Sequence, residues 1–386
     1  MSVETISLGC RLNFAETDTI SRCAPQNEDW IVVNSCAVTN EAVRQTRQAI
    51  RRAHRQRPAA QILVTGCAAE LEPETFATMP GVVRVVGNAI KLNSLAENDV
   101  MAPAGLLANV KSFVAVQTGC DHRCTFCSIW QARGQSVSLP FEAIRDAVCR
   151  EIDRGAKEIV LTGVDITDYA GGLGVLCQRL LAAEPRLKRL RLSSLDSIEI
   201  DDALFELIAG DTRLMPHFHL SLQAGDDMVL KRMKRRHSRA DAVRIVERIK
   251  AARTDATIGA DLIAGFPTET EKMSLNSLKL LDECEIVVAH VFPFSPRPRT
   301  PAARMPQLAP ELIKARAARM RQVAAERRTR WLETLIGTTQ PILIEGDGIG
   351  HTDNLAPITI HSGHRGETGI GRITDFDGTR LTAVWA

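Results

Sequence analysis

Short apolar runs and longer polar segments alternate along the first hundred residues of the chain. Four of these runs are rich in valine and isoleucine, as buried strands are, and the segments between them have the polar character of exposed helices. This alternation predicts a parallel sheet flanked by helices. The four predicted strands are Val3–Leu8, Trp30–Ser35, Gln61–Gly66 and Gly81–Val86.

The same rhythm returns after a polar stretch, residues 93–105, that contains Pro103 and Gly105. Six more strands are predicted there, separated by helices such as Pro140–Arg154 and Arg239–Arg253. Six successive β–α units predict an incomplete TIM-like barrel, a fold in which functional residues gather at the carboxyl ends of the strands. The six strands are Phe113–Gln117, Glu158–Thr162, Arg189–Ser193, Phe218–Leu222, Ile258–Ile263 and Val287–Phe292.

A long helix, Pro310–Leu335, precedes a tail in which glycine and aspartate turns separate short strands. This pattern predicts a small β-barrel of four or five strands. We therefore expect an α/β chain of three domains: an N-terminal parallel-sheet domain (1–105), a central partial TIM-like barrel (106–335) and a C-terminal β-barrel (336–386). The tail strands are Pro341–Ile344, Ala356–Ile360, Gly369–Ile373 and Leu381–Trp385.

The composition narrows the possible function classes. No run of 18 apolar residues occurs, and the first residues read as a strand rather than a signal peptide, so we expect no membrane span and a cytoplasmic location. Ten cysteines in that compartment favour metal or redox use over disulfides. The net charge is only +2, so bulk charge does not by itself indicate nucleic-acid binding. Aromatic residues make up 4% of the chain, which disfavours base stacking on many aromatic platforms.

Three cysteines, Cys120, Cys124 and Cys127, follow the first strand of the predicted barrel at the spacing C-x3-C-x2-C. Three thiolates on one loop can hold three irons of a four-iron cluster and leave the fourth iron open. The alternatives are a zinc site or three unrelated thiols. Zinc sites usually offer a fourth ligand at close spacing, and His122 is the only local candidate.

Three further cysteines, Cys10, Cys36 and Cys67, each follow one of the first three predicted strands. Ligands collect at the carboxyl ends of strands in an open parallel sheet, so we expect the three thiols to converge on one metal centre. A single cysteine after a strand is more often simply buried. A second iron–sulfur cluster is the natural occupant of such a trio.

The cysteine loop resembles that of the radical S-adenosylmethionine (SAM) enzymes. Leu8–Asn13, Asn34–Thr39 and Thr65–Glu70 are similar to the three cysteine motifs of the methylthiotransferases, which pair such an N-terminal domain with a radical SAM domain. The resemblance implies two 4Fe-4S clusters, an auxiliary one on Cys10, Cys36 and Cys67 and a catalytic one on Cys120, Cys124 and Cys127. It also implies that SAM chelates the open iron of the catalytic cluster and is cleaved to a 5′-deoxyadenosyl radical.

Further candidate SAM contacts lie at or near the ends of the barrel strands. The resemblance places Asp165 near the amino group of SAM and the segment Ala260–Glu269 against its adenine. It places the block Leu220–Arg236, which ends in several basic residues, at the rim of the active site. The predicted cofactor-binding residues are Gly163, Asp165, Ser194, Gln223, Arg236, Asp261 and Gly265.

The motifs Asn34–Thr39, Gly119–Cys127 and His290–Pro298 are most similar to the branch that acts on threonylcarbamoyladenosine in tRNA. The implied reaction converts that nucleoside, at position 37 on the 3′ side of the anticodon, to its 2-methylthio derivative. One SAM would supply the methyl group and a second SAM the radical. The implied partners are the tRNA anticodon stem-loop and a reducing flavodoxin- or ferredoxin-like protein, and we expect a monomer.

Two regions bear on RNA binding. Arg44, Arg47, Arg51 and Arg55 share one face of the second predicted helix, which is either a solvated face or a contact for the nucleic-acid backbone. The tail resembles the RNA-binding TRAM barrel. However, residues 331–386 carry three arginines and seven acids, a net charge of −4, which does not fit simple phosphate binding.

Two departures from the family pattern and two rival functions remain. Trp130 stands in a segment where relatives usually have Pro-Tyr, and Arg299 stands where they usually have glycine. One rival is a methylthiotransferase that modifies an aspartate of a ribosomal protein. The other is a non-catalytic, metal-stabilised RNA-binding protein, which predicts at most one zinc and no SAM cleavage.

Overall fold

The computed structural model describes residues 3–23, 29–88 and 110–386. It confirms the predicted α/β class: a parallel sheet comes first, then two parallel arcs of a partial barrel, and then a closed five-stranded barrel. The predicted boundary between residues 105 and 106, with the polar stretch around it, lies outside the described residues.

The N-terminal sheet has four parallel strands in sequence order: β1 (Val3–Ser7), β2 (Trp30–Ser35), β3 (Gln61–Gly66) and β4 (Val82–Val86). Its helices are α1 (Arg11–Cys23), α2 (Asn40–Gln56), α3 (Cys67–Leu71) and α4 (Pro73–Ala77). α2 begins after Thr39 because that hydroxyl accepts a hydrogen bond from the Ala42 amide at 3.1 Å, which satisfies one of the free amides of the first turn. Strand order and register place the ends of β1, β2 and β3 side by side.

The central barrel is built from two parallel arcs, β5–β8–β9 and β10–β11–β12–β13, with a small β6–β7 ladder beside them. The strands are β5 (Lys111–Ala115), β6 (Gln117–Thr118), β7 (Val137–Ser138), β8 (Glu158–Thr162), β9 (Leu190–Leu192), β10 (Ser194–Leu195), β11 (His217–Gln223), β12 (Thr257–Ala264) and β13 (Ile286–Pro293). An isolated bridge between Leu190 and Leu214 supplements the contacts between the arcs.

Eight helices among the described residues cover and extend this barrel. They are α5 (Ile129–Arg133), α6 (Phe141–Asp153), α7 (Leu173–Ala183), α8 (Asp202–Gly210), α9 (Asp227–Met233), α10 (Arg239–Ala252), α11 (Glu271–Glu283) and α12 (Pro310–Thr334). A continuous aliphatic core lies between them and the strands. None of the described helices combines the length and the apolar character needed to cross a lipid bilayer.

The C-terminal barrel closes in the order β14–β15–β16–β18–β17. Its strands are β14 (Thr339–Gly346), β15 (Ile349–Thr352), β16 (Pro357–Thr359), β17 (Thr368–Phe376) and β18 (Leu381–Trp385). Of the five strands of this barrel, β15 is the one that the sequence analysis does not predict. Three of its four residues, Gly350, His351 and Thr352, are buried without being large and apolar, so the alternation that marks a strand is absent there.

Buried charges join the base of the central barrel to the C-terminal barrel. Glu158 is fully buried and accepts hydrogen bonds from Arg189 at 3.1 Å and from Arg191 at 2.7 Å. Arg191 also donates to the backbone oxygen of Asp353 at 3.1 Å. Burial opposes the ionisation of Glu158, but Arg191 and His351 hold its pKa well below the usual value. An ionised network therefore holds the two barrels together.

His217, in the same region, makes the stability of the folded chain depend on pH. Its buried ring donates from Nδ1 to Thr257 Oγ1 at 2.9 Å, because that hydroxyl gives its own proton to the carbonyl oxygen of Asn354 at 2.8 Å. Burial, and then repulsion by Arg191, hold the pKa of His217 well below its usual value. Below about pH 6.5 the unfolded chain therefore binds a proton that the folded chain does not, and stability falls as the pH falls.

We expect the His217→Gln variant to lose this contribution. Between about pH 7.5 and about pH 5.5, the free energy of unfolding should fall by about 1.4 kcal/mol more in the wild type than in the variant, the effect of one proton. Urea unfolding followed by tryptophan fluorescence measures the difference. The exposed His361→Gln variant is the control and should follow the wild type. Equal falls in all three proteins would contradict the role of His217.

Candidate functional site

The three N-terminal cysteines meet at one edge of the parallel sheet, where β1, β2 and β3 end. Cys36 and Cys67 are buried, and Cys10 lies exposed at the same edge. Burial is the main cause that raises the pKa of Cys36 to about 12, and negative charge on Cys10 and Cys67 adds to it. The three sulfurs therefore lie within electrostatic range of one another.

Gly9 makes the close approach of Cys36 possible. Its φ is +97°, a conformation that residues with a side chain rarely adopt. A Cβ at this position would lie 2.5 Å from both Cβ and Sγ of Cys36. Any other residue would push the Cys36 side chain away from the loop that carries Cys10.

Arg133, at the end of α5, connects the central barrel to this edge. Only 2% of its side chain is exposed, and its Nε donates to Cys67 Sγ at 3.2 Å. The same guanidinium donates to Glu16 at 2.7 Å and to Asn13 Oδ1 at 2.7 Å. Burial opposes the charge on Arg133, but the charges of Cys67 and Glu16 outweigh it and raise its pKa. Arg133 therefore places a fixed cation beside one sulfur of the N-terminal trio.

The second trio, Cys120, Cys124 and Cys127, lies on the loop between β6 and α5. Burial raises the pKa of Cys120 to about 12 and that of Cys127 to about 11, and charge on Cys124 contributes to both. Arg235 Nη1 lies 3.8 Å from Cys124 Sγ. Charge on Cys67 also acts on Cys127, so the two trios lie close to each other across the boundary between sheet and barrel.

A cluster of charged groups adjoins the second trio. His122 Nε2 lies 3.3 Å from Asp165 and 3.5 Å from Glu199, and its Nδ1 lies 3.7 Å from Asp196. Arg236 pairs with Glu199 and lies 3.9 Å from Asp196. Burial opposes the ionisation of Glu199, but hydrogen bonds from His122 and Arg236 lower its pKa to about 2. The hydrogen bond to Glu199 raises the pKa of His122.

This cluster is complementary to a zwitterion. Its carboxylates can accept hydrogen bonds from an ammonium group, and Arg235 and Arg236 can donate to a carboxylate. Burial raises the pKa of Asp165, although Thr167 donates to that carboxylate at 2.7 Å. His122 lies among the carboxylates of Asp165, Asp196 and Glu199, and one of its ring nitrogens also lies within 4.8 Å of the Cys120 sulfur.

Four of the remaining predicted SAM contacts lie at or next to the termini of four different strands. Gly163 follows β8 and packs against Gln117, whose backbone oxygen would lie 2.8 Å from an added Cβ. Gly265 follows β12 with φ +75° and packs against α12. Ser194 begins β10, and Gln223 ends β11 with φ +66°. Their roles stay predictions.

Asp261 lies in a separate cluster inside the barrel. Its Oδ1 accepts hydrogen bonds from His219 Nε2 at 3.0 Å and from His290 Nδ1 at 3.0 Å. Burial opposes the ionisation of Asp261, but these two hydrogen bonds hold its pKa below the usual value. The structure therefore brings Asp165 and Arg236 together and places Asp261 with two histidines instead.

Two departures from the family pattern have a structural account. The Trp130 ring lies under Arg123, whose Cζ is 5.5 Å from the ring centroid, a cation–π distance. Arg299 has φ +66°, in the left-handed region that favours glycine and costs other residues about 1–2 kcal/mol. Its backbone oxygen accepts a hydrogen bond from Gln131 Nε2 at 3.4 Å.

Both trios fit iron–sulfur chemistry. Three cysteine thiolates can ligate a 4Fe-4S cluster and leave one iron without a protein ligand. Arg133 and Arg235 place positive charge beside one sulfur of each trio, which offsets the negative charge that such a centre gathers.

Sequence reasoning missed several charged residues of these clusters. Asp196 and Glu199 follow the third barrel strand, where functional residues gather, and this position could have identified them. The contacts of the others join residues far apart in the chain and carry no local signal. The missed residues are Arg133, Asp196, Glu199, His219 and His290, whereas Arg235 lies in the block that the sequence analysis places at the rim of the active site.

Comparison with known proteins agrees with this arrangement. The radical SAM superfamily model matches residues 114–281, and the model described as uncharacterized protein family UPF0004 matches residues 2–87. The chain is 42% identical, over 92% of its length and 91% of the relative, to the threonylcarbamoyladenosine tRNA methylthiotransferase MtaB of Rickettsia prowazekii. It is 33% identical, over 89% and 86%, to the tRNA-2-methylthio-N(6)-dimethylallyladenosine synthase of Erythrobacter litoralis.

A solved structure shares the fold. The radical SAM methyltransferase TsrM from Kitasatospora setae superimposes with a TM-score of 0.57 at 13% identity, over 81% of this chain and 80% of that one. Membership of the radical SAM superfamily implies SAM and one 4Fe-4S cluster. On the identity and coverage of its relatives, this chain belongs to the methylthiotransferase family of radical SAM enzymes.

Proposed function

We propose that this chain converts N6-threonylcarbamoyladenosine in tRNA, on the 3′ side of the anticodon, to its 2-methylthio derivative. The observation that carries the proposal is the end-to-end match, at 42% identity, with a relative named for this activity. The two neighbouring cysteine trios support it, because the reaction needs both a radical and a sulfur donor.

The two trios would hold two 4Fe-4S clusters, on Cys120, Cys124 and Cys127 and on Cys10, Cys36 and Cys67. When bound, these clusters and SAM supply the radical, the sulfur and the methyl group of the reaction. The chain's own residues bind and orient. Arg133 holds Cys67 against the barrel, and Asp165, Glu199 and Arg236 would fix the two charged ends of SAM.

The other predicted SAM contacts remain part of this proposal. Gly163, Ser194 and Gln223 would line the SAM site from three neighbouring strand ends. Asp261 and Gly265 would lie towards the adenine. The geometry supports a SAM contact for Asp165 and Arg236 more directly than for these five, because only those two adjoin the cysteine loop.

The anticodon stem-loop is the proposed substrate surface. On α2, Arg44 pairs with Glu41 and Arg47 pairs with Glu72, so half of the predicted basic face is neutralised. Arg51, Arg52 and Arg55 are exposed and make no ion pair with any residue that the structure describes. These three are the candidates for phosphate contacts.

The same proposal covers the domain boundaries and the remaining partners. Three hydrophobic cores, one for the sheet, one for the central barrel and one for the C-terminal barrel, support the division at about residues 105 and 335. The closed five-stranded barrel supports a TRAM-like domain at the C-terminus. We further expect the chain to act as a monomer with a flavodoxin- or ferredoxin-like electron donor.

The test is transfer to a defined RNA. Protein reconstituted anaerobically with iron and sulfide is incubated with SAM, dithionite and a synthetic anticodon stem-loop that carries threonylcarbamoyladenosine. Mass spectrometry of the digested RNA should show one methylthio group in place of one hydrogen. Product only on an RNA with dimethylallyladenosine would favour the activity of the Erythrobacter relative instead. Product only on an aspartate of a ribosomal protein would favour the rival methylthiotransferase function named in the sequence analysis.

A further inference from the structure

Arg11 is the first residue of α1 and the neighbour of Cys10, and its position makes it a candidate determinant of substrate choice. α1 lies against β5, where the rings of Phe14 and Phe113 are 6.4 Å apart between centroids. The first turn of α1 thereby reaches the open edge of the central barrel. The Arg11 guanidinium makes no hydrogen bond and no ion pair with any residue in the described parts of the chain.

The charges around Arg11 belong to the interior of the barrel. Arg191 repels its guanidinium, and Asp261 and Glu158 attract it more weakly. Both acids already have partners: Glu158 accepts hydrogen bonds from Arg191, and Asp261 accepts them from His219 and His290. Arg11 therefore presents a guanidinium charge that no side chain in the described part of the barrel contacts.

A second guanidinium in the same interior also has an unused donor. Arg191 is 2% exposed, and its Nη1 is buried with no hydrogen-bond partner among the described residues. Buried polar groups without partners are rare in native structures. Two like charges held near each other in a poorly solvated interior also repel strongly. An anion between or beside the two guanidinium groups would accept a hydrogen bond from Arg191 Nη1 and would reduce the repulsion between the two charges.

This interior is accessible to a ligand. His290 sits on β13, the last strand of the incomplete barrel, and half of its side chain is exposed (51%). His290 therefore extends the cluster of Asp261 and His219 towards solvent at the β13 edge of the barrel. Because Arg11 adjoins Cys10, an anion bound at Arg11 would also lie next to the N-terminal trio.

The substrate itself supplies a suitable anion. The threonylcarbamoyl group on N6 ends in a free carboxylate, whereas a dimethylallyl group in that position carries no charge. C6, which carries N6 and its substituent, and C2 flank the same ring nitrogen, so binding of the N6 substituent also sets the direction of C2. We propose that Arg11 binds the threonyl carboxylate of the substrate nucleoside, and so selects threonylcarbamoyladenosine and aims its C2 towards the auxiliary trio. This inference rests on the proposed function.

The SAM carboxylate is the competing ligand for a cation in this enzyme. Arg235 and Arg236, which adjoin the second cysteine trio, are placed for that role. Arg11 makes no hydrogen bond and no ion pair with any of the described residues of that cluster. The two carboxylates, of cofactor and of substrate, therefore have separate arginines.

The experiment compares two anticodon stem-loops that differ only at the threonyl carboxylate, which is either free or converted to the neutral carboxamide. Wild type, Arg11→Gln, Arg11→Lys and the exposed control Arg150→Gln are reconstituted alike. Transfer is measured with both RNAs in one tube, which gives the ratio of kcat/KM. Binding of each RNA is measured by fluorescence anisotropy. Iron content and 5′-deoxyadenosine formation check the state of the clusters.

Wild type and Arg150→Gln should prefer the carboxylate RNA by about 10- to 100-fold, the effect of one charge-assisted contact. Arg11→Gln should lose that preference and should process the carboxamide RNA within about 3-fold of wild type. Arg11→Lys should keep part of the preference. An undiminished preference in Arg11→Gln would overturn the inference.

The failure of the inference and that of the proposed function are distinguishable. If wild type transfers a methylthio group to neither RNA, the proposed function fails, and the ratio of binding constants alone decides the role of Arg11. If Arg11→Gln loses iron, its transfer rates can no longer be compared with those of wild type. The ratio of binding constants for the two RNAs then decides the role of Arg11. A ratio that is equal in wild type and in Arg11→Gln overturns the role, and a ratio that collapses in the variant supports it.

Discussion

The triple variant Cys10→Ala, Cys36→Ala, Cys67→Ala is expected to lose methylthio transfer completely while it still cleaves SAM to 5′-deoxyadenosine. The reason is the division of the thiols into two groups of three. The loop trio can hold its own cluster, and Asp165 and Arg236, which we propose as SAM contacts, adjoin that loop. Removing the N-terminal trio therefore leaves the radical-generating half in place.

Iron counting measures the first part of this expectation. Wild type should hold about eight irons per chain, and the triple variant about four, because each 4Fe-4S cluster contributes four. Mössbauer spectroscopy identifies the cluster type, and chromatography measures 5′-deoxyadenosine. The reciprocal variant with alanine at Cys120, Cys124 and Cys127 should lose both activities. The Cys149→Ser variant, which changes a cysteine outside both trios, should retain eight irons. An unchanged iron count in the N-terminal variant would contradict the two-cluster proposal.

The Arg133→Gln variant is expected to lose both stability and auxiliary iron. Arg133 is the buried partner of Glu16, Asn13 and the Cys67 sulfur. Removing one member of a buried ion pair costs about 3–5 kcal/mol, because the opposite charge loses its compensation. Loss of an outer group that supports a metal ligand typically weakens metal binding by about 10- to 100-fold.

Urea unfolding and iron titration test these two effects separately. The double variant Arg133→Gln, Glu16→Gln removes both charges and should recover part of the lost stability, but not the lost iron affinity. Arg150→Gln, an exposed arginine on α6, should stay within about 0.5 kcal/mol of the wild type. A stability of Arg133→Gln equal to that of the wild type would show that the pair with Glu16 does not hold the sheet to the barrel.

Much of the fold could be predicted from the sequence because its signals are local. The bounds of β2, β3, β8 and β18 agree with the predicted ones, since each strand is a short, mostly apolar run bounded by polar or glycine residues. β15 could not be found, because glycine, histidine and threonine occupy its buried positions. Only the surrounding barrel shows why these residues are extended.

Both groups of cysteines could also be predicted from the sequence. Cys10, Cys36 and Cys67 stand directly after strands that parallel pairing brings side by side, so their convergence follows from the strand pattern. The spacing of Cys120, Cys124 and Cys127 identifies the second trio in the sequence. What could not be foreseen is that Cys67 and Cys127 lie close enough for their charges to interact.

The sequence by itself determined the order of elements, the two cysteine trios and the family, because these depend on residues near one another in the chain. The tertiary structure alone decided which charges meet: His122 with Asp165, Asp196 and Glu199, Arg133 with Cys67, and Asp261 with two histidines. Those contacts join segments that are tens of residues apart. Local periodicity carries no information about them, since they depend on how the sheet docks on the barrel and how the barrel closes.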